Sequence, residues 1–172
     1  IRAGNVLGSN GSVVPHFIDQ IKAFNKVTIT DADMTRYFLT LPEAIRLLFK
    51  AAESSLGGET FVMKMPSCKI LDMAKVLIKA YGDDHTEIEF SGARPGEKLD
   101  EVLVSRYESD HSYYFDDNYF LILPTLKING LHDYYDKSKK LQKVSFKEYS
   151  SRDTLLNEEQ IRDMLIKGGF LV

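Results

Sequence analysis

Two arginine-bearing stretches stand out as able to do chemistry in this chain: Asp33-Met34-Thr35-Arg36 and Gly92-Ala93-Arg94-Pro95-Gly96-Glu97-Lys98. Each sets a guanidinium in a loop context, where a planar and permanently charged fork can meet phosphate oxygens two at a time. A third stretch, Gly8-Ser9-Asn10-Gly11-Ser12, adds glycines and hydroxyls that let backbone amides approach an anion. Together they point to a site for a small molecule that carries a diphosphate. Each also has a plainer reading. Gly8 to Ser12 is by itself a flexible turn, without the Gly-Lys-Ser/Thr of a P-loop or the G-x-G-x-x-G of a dinucleotide loop. Arg36 could equally pair with Asp31 or Asp33. Arg94 to Lys98 could be an exposed helix start. Against that, Pro95 drives Arg94 into extended backbone and Gly96 permits a reversal, aiming Arg94 at a phosphate and Glu97 at ribose hydroxyls.

The other conspicuous side chains support less. His16, His85, His111 and His132 lack metal-ligand spacing and read as scattered surface histidines. Cys68 is the only cysteine, which excludes an internal disulfide and a cysteine-based zinc site and fits a reducing, cytoplasmic compartment. Tyr113-Tyr114 and Tyr134-Tyr135 could stack bases, but no basic groove accompanies them. No Tyr-x-x-x-Lys pair is available either: Tyr135 and Lys137 are too close, and Tyr134 and Lys137 fall one residue short. With 172 residues, 44% of them apolar, the chain can build one sizeable core or a core with a tail. A net charge of −3 gives no electrostatic case for nucleic acid or an anionic membrane, so an anion must be held by locally placed cations and amides. No apolar run reaches the roughly 18–20 residues that span a bilayer, and no signal-peptide pattern opens the chain. A first residue of Ile1 leads us to expect a fragment.

The elements that must position these residues are mixed α/β. Residues 1–8 read as a buried strand running into a loop. Phe17, Ile18, Ile21 and Phe24 repeat at helical spacing over 13–24, with Pro15 tolerated near the start. Val27 to Thr30 alternates as a strand before the turn-prone Asp31-Ala32-Asp33. Thr40, Pro42 and Glu43 open a helix whose stripe is Ala44, Ile45, Leu47, Leu48 and Ala51. Thr60 to Met65 reads as a strand, Ile70 to Tyr81 as a helix stopped by Gly82, and Glu87 to Phe90 as a strand entering the Arg94 loop. Beyond Ser105 the character changes. Tyr119 to Leu123 is a compact strand, residues 131–152 look like an extended arm, and Asn157 with Gln160 caps a last helix. Too few strands are visible for a complete doubly wound sheet.

Several of these stretches match one family in order: Arg2-Ala3-Gly4-Asn5-Val6-Leu7-Gly8-Ser9, Gly11-Ser12-Val13-Val14-Pro15, Asp33 to Arg36, Phe61 to Ser67, and Arg94 to Lys98, with Tyr149-Ser150-Ser151 added in the tail. The chain resembles the C-terminal half of the UDP-N-acetylglucosamine 4,6-dehydratases that invert C5, extended short-chain dehydrogenase/reductases of bacterial polysaccharide and glycan biosynthesis. The resemblance implies the last Rossmann strands, a small α/β substrate-binding lobe and a C-terminal tail. It implies a nucleotide-sugar-binding portion over 1–105 and an arm, strand and terminal helix over 106–172. Carried over by position, Asn5, Asn10, Gly11, Ser12 and Val13 would line the substrate. Thr28 and Thr30 would approach the nucleotide, Arg36 and Arg94 the diphosphate, and Glu97 the ribose.

Family members use tightly held NADP or NAD. A hydride leaves C4, water is eliminated across C5–C6, and the hydride returns at C6. The glycine-rich cofactor motif, the Tyr-x-x-x-Lys pair and the elimination residues are expected before Ile1, on a missing N-terminal Rossmann half. This chain alone is therefore expected to bind no cofactor, to carry no catalytic residue and to be inactive. Asn10 stands where the family often has Arg, and Asp100 where His is common. The expected partners are a UDP-sugar, the missing half and further copies of the chain. A related epimerase is a neighbouring possibility. A non-catalytic nucleotide-sugar-binding or assembly module is the reading from outside enzymology.

Overall fold

The computed structural model describes residues 1–172, with Ser138 described by its backbone alone. In chain order the elements are β1 (Asn5–Val6), α1 (Val13–Phe24), β2 (Lys26–Ile29), β3 (Thr35–Leu39), α2 (Leu41–Ser54), β4 (Thr60–Met63), β5 (Ser67–Lys69), α3 (Ile70–Tyr81) and β6 (Glu87–Phe90). There follow β7 (Val102–Val104), α4 (Arg106–Ser109), β8 (Ser112–Tyr114), β9 (Tyr119–Ile122), α5 (Leu131–Tyr134), a π turn (Tyr135–Lys139), β10 (Gln142–Lys143), β11 (Tyr149–Ser150) and α6 (Glu158–Lys167). They form two compact units, each drawn from three stretches of chain: residues 1–3, 42–65 and 102–150, and residues 4–41, 66–101 and 151–172. No helix among the described residues is long and apolar enough to cross a membrane.

The unit containing residues 4–41 is built on three helices. Val14, Phe17 and Ile21 of α1, Met73, Ala74 and Leu77 of α3, and Ile161 and Leu165 of α6 bury their faces with Val27 and Ile29 of β2. Spacings of three and four put each set on one side of its helix. The helix ends follow local chemistry. Asn25 stops α1 in the left-handed region at φ 51°, donating its N–H to the Ile21 carbonyl at 3.0 Å. Gly82 ends α3 with extended backbone, and it is glycine for lack of space: a Cβ there would lie 2.5 Å from the Thr86 hydroxyl. The Asn157–Gln160 capping box opens α6 as its spacing predicts, with both reciprocal hydrogen bonds present. β1 runs parallel to β3, β3 pairs antiparallel with β5, and β2 runs parallel to β6 in register Val27↔Ile88 and Ile29↔Phe90. Cys68 of β5 is fully buried, and burial pushes its thiol far above the ordinary range, so it is a packing residue and no nucleophile.

The other unit centres on an antiparallel sheet ordered β10-β8-β9-β4, with β7 and β11 as a separate pair. Phe61, Leu121 and Leu123 fill its core with Leu47 of α2. Two expectations fail here. Residues 131–152 are not simply an extended arm, because α5 and the π turn bury Leu131 and Tyr135 in that core and the Tyr135 hydroxyl donates to Glu59 at 2.8 Å. The periodic stripe of α2 is fully buried only at Leu47; Ile45 and Leu48 are 42% and 53% exposed. Spacing marks a face as apolar, while covering it takes non-local partners.

Arg2 forms a two-pronged ion pair in this unit. Its guanidinium donates to both carboxylate oxygens of Glu108, at 2.9 and 2.8 Å, and to the Leu103 carbonyl at 2.7 Å. Glu108 also accepts from the Ser105 amide and hydroxyl. The Arg2 hydrogen bond, reinforced by Ser105, holds Glu108 down from the ordinary 4.5 to about 2. A carboxylate depressed in the folded state contributes stability above its unfolded pKa, and that contribution is lost as pH falls through the folded value. Acid unfolding followed by circular dichroism is expected to show stability falling between pH 4.5 and about 2, with a flatter dependence over the same window in Glu108→Gln.

Candidate functional site

One cavity of about 590 Å³ lies wholly within the unit that contains α1, α3 and α6. The strands and turns around it explain its lining. β1 brings Asn5, and the chain then reverses at Gly11 (φ 73°) to open α1 with Ser12 and Val13. β2 and the residue after it bring Thr28 and Thr30, β3 brings Arg36, and the loop after β6 brings Arg94 and Glu97. The residues expected at a site are thus gathered in one place, with a single exception. Asn10 is exposed on the turn and stands outside the lining.

Three polar groups in the lining escaped the sequence reading. His16, Gln20 and Ser91 all face the cavity. Ser12, His16 and Gln20 are four residues apart, so they form a polar edge of α1 beside its buried stripe, and that spacing was the available clue. Gln20 is tied to β2, accepting from the Thr28 amide at 3.1 Å. The Ser12 hydroxyl is buried and has no hydrogen-bond partner among the described residues. A buried hydroxyl at the N-terminus of a twelve-residue helix is an unmet donor and acceptor on the cavity wall.

The cations differ in their surroundings. The Arg94 guanidinium makes no hydrogen bond or ion pair among the described residues, while its backbone is closed on Glu97: the Glu97 amide donates to the Arg94 carbonyl at 3.0 Å and the Arg94 amide to Glu97 Oε2 at 3.3 Å. Arg36 pairs with neither Asp31 nor Asp33. Asp33 instead accepts from Lys69 at 2.8 Å, and that hydrogen bond lowers the Asp33 pKa; Asp31 caps the turn by accepting from the Asp33 amide. The Arg36 guanidinium lies 3.7 Å from Glu101 and donates to the carbonyls of Thr35, Lys98 and Leu99.

Glu101 is the hub behind this wall. Its carboxylate accepts from Asn5 Nδ2 at 2.9 Å and from the Tyr37 amide at 3.0 Å, and Asn5 Nδ2 also reaches the Tyr37 carbonyl. Next to it Asp100 accepts from Thr35 Oγ1 at 2.7 Å and Arg152 Nε at 2.9 Å, and buried Ser151 meets Thr35 at 2.6 Å. Asp100 is therefore engaged with Thr35 and Arg152 and is not among the residues that line the cavity.

The Gly8 turn is not a dinucleotide loop. A dinucleotide loop needs glycines so that the pyrophosphate can approach the backbone. Here a Cβ on Gly8 would lie 2.5 Å from the Phe170 ring, so this glycine admits one of the chain's own side chains.

With this geometry established, the relationships of the chain are clear. Its fold is part of an extended short-chain dehydrogenase/reductase. The Pen protein of Bacillus thuringiensis, known from X-ray analysis, superposes with a TM-score of 0.85 at 32% identity over 98% of this chain and 49% of that one. Residues 1–123 match the family described as polysaccharide biosynthesis protein, and the chain belongs to that family. It is 42% identical over 152 residues to the capsular polysaccharide biosynthesis protein CapD of Staphylococcus aureus, covering 83% of this chain and 25% of that protein. It is 34% identical over 166 residues to a UDP-glucose 4-epimerase of Rickettsia canadensis, covering 96% of this chain and 48% of the relative. The chain spans between a quarter and a half of the length of these proteins.

Removing the Glu101 carboxylate takes a charged acceptor from the Tyr37 amide and from the Asn5 side chain at once. Glu101→Ala is expected to cost about 1–3 kcal/mol of stability, the range for buried groups that lose a charged partner, measured by urea unfolding.

Proposed function

We propose that this cavity holds the nucleotide diphosphate of a UDP-sugar, and that the chain is the substrate-binding portion of a UDP-N-acetylglucosamine 4,6-dehydratase acting in capsule or glycan biosynthesis. The observation that carries the proposal is the convergence of Arg94, Arg36 and the orphaned Ser12 hydroxyl on one cavity. Its volume, about 590 Å³, falls within the roughly 300–1,000 Å³ of small-molecule sites. A diphosphate needs charge-assisted donors, and an unpartnered guanidinium beside helix N-terminal amides supplies them. Glu97, held against the Arg94 backbone, would accept from ribose hydroxyls, and Thr28, Thr30 and Gln20 would offer polar contacts to the nucleoside end. Asn5, with its Nδ2 committed to Tyr37 and Glu101, has its carbonyl oxygen left to accept from the sugar.

In this reading the chain binds and orients substrate. The hydride chemistry of such enzymes comes from a nicotinamide cofactor, and this sequence carries no G-x-G-x-x-G motif for one, so the chain by itself is proposed to be inactive. A second reading, the corresponding portion of a UDP-sugar 4-epimerase, is favoured by the Rickettsia relative, which matches 96% of the chain. Both readings place the same diphosphate in the same cavity.

Isothermal titration with UDP and UDP-N-acetylglucosamine tests the proposal. Both are expected to bind. Arg94→Gln is expected to weaken each by about 1.5–3 kcal/mol, the value of one charge-assisted hydrogen bond. Absence of heat with either ligand at millimolar concentration would overturn it.

A further inference from the structure

The loop between β6 and β7 is exposed over residues 91–99, and it contains two left-handed glycines, Gly92 (φ 78°) and Gly96 (φ 84°). Its entry is fixed by the last rung of the β2–β6 pair, where the Ser91 amide donates to the Ile29 carbonyl at 2.9 Å. From Gly92 to Glu97 its hydrogen bonds among the described residues are to itself, within the Arg94–Glu97 turn and from Ser91 to Gly92. Its exit is fixed by β3. The Leu99 carbonyl accepts from the Thr35 amide at 3.0 Å and from Arg36 Nη1 at 3.0 Å, while the Lys98 carbonyl accepts from Arg36 Nη2 at 2.7 Å.

A guanidinium has five N–H donors. In Arg36 both Nη1 hydrogens go to carbonyls, of Thr35 and Leu99, one Nη2 hydrogen goes to Lys98, and Nε faces Glu101. One Nη2 hydrogen is left for the cavity. That leaves Arg36 unable to offer the two-pronged fork with which arginine usually grips a phosphate.

We infer that Arg36 is primarily a positioning residue: it clamps the exit of the 91–99 loop to β3 and thereby sets where Arg94 stands over the cavity. The planar spread of donors matters, because the carbonyls of residues 35, 98 and 99 are served from one rigid group. A lysine ammonium in the same place is a single point and cannot span them. Glu101 fixes the clamp from behind. The inference concerns how the proposed site is organised, and it rests on that reading only for its ligand measurement.

Amide hydrogen exchange on the 172-residue chain without ligand, read residue by residue by NMR, tests the clamp directly. In Arg36→Gln the amides of Thr35 and Glu97 are expected to exchange about tenfold faster or more, while Leu77 in α3 keeps its protection. If Arg36→Gln does not fold, Arg36→Lys is read in its place, with the same localised acceleration expected. Unchanged exchange at Thr35 and Glu97, or a uniform rise that includes Leu77, overturns the inference.

A second readout uses UDP with Arg36→Gln, Arg94→Gln and the double variant. If Arg36 works through Arg94, the double variant binds within about threefold of Arg94→Gln; if the two losses multiply, Arg36 is an independent ligand and the inference fails. Should UDP not bind the unaltered chain at all, the functional reading falls while the exchange experiment still decides the clamp.

Discussion

A half-buried carboxylate, that of Glu101, holds the cavity wall together. It accepts from the Asn5 side chain and the Tyr37 amide, and it faces Arg36 at 3.7 Å. A charge with little water around it must be met by donors or a counter-charge, and here these come from separate elements, β1 and β3. Meeting the charge therefore fixes where those strands lie relative to the segment leading into β7. The cavity inherits its shape from this requirement. Asn5 and Arg36 line it on their far sides because their near sides are engaged.

The same constraint gives the two arginines different surroundings. Arg36 sits among backbone carbonyls and beside a carboxylate, and its side chain is only 17% exposed. Arg94 rides on an exposed loop between two glycines with its charge unmet. Sequence places both in similar loop contexts, yet one is built into the wall and the other projects from the rim. One arginine is thus held within the wall by its own hydrogen bonds, while the other keeps its donors unengaged among the described residues.

Much of the fold was legible where information is local. Helices α1, α3 and α6 were readable because Phe17 and Ile21, or Ile161 and Leu165, repeat within one turn of each other, although Phe24 of the same α1 pattern is exposed, and the Asn157–Gln160 box marks its own helix start. The Arg94 turn was readable from Pro95 and Gly96. Strands β5, β7 and β8, each three residues long, were not, since a strand that short has no periodicity and exists only through its partner. The partners of Arg36 were equally hidden, because Lys98 and Leu99 lie 62 and 63 residues away along the chain. The exposed face of α2 and the buried Tyr135 are the same lesson in opposite directions: pattern marks a surface as apolar, and tertiary context decides whether it is covered.

The interleaving of the two units has a consequence for how the molecule can be taken apart. Each is assembled from three separate stretches, and the chain passes repeatedly from one to the other. No single break yields either unit whole. Cleavage between residues 41 and 42, for example, would leave β3 on one piece and its partner β5 on the other. Deletion mapping by progressive truncation would accordingly report loss of folding at almost every end point, and would say little about which residues touch a ligand.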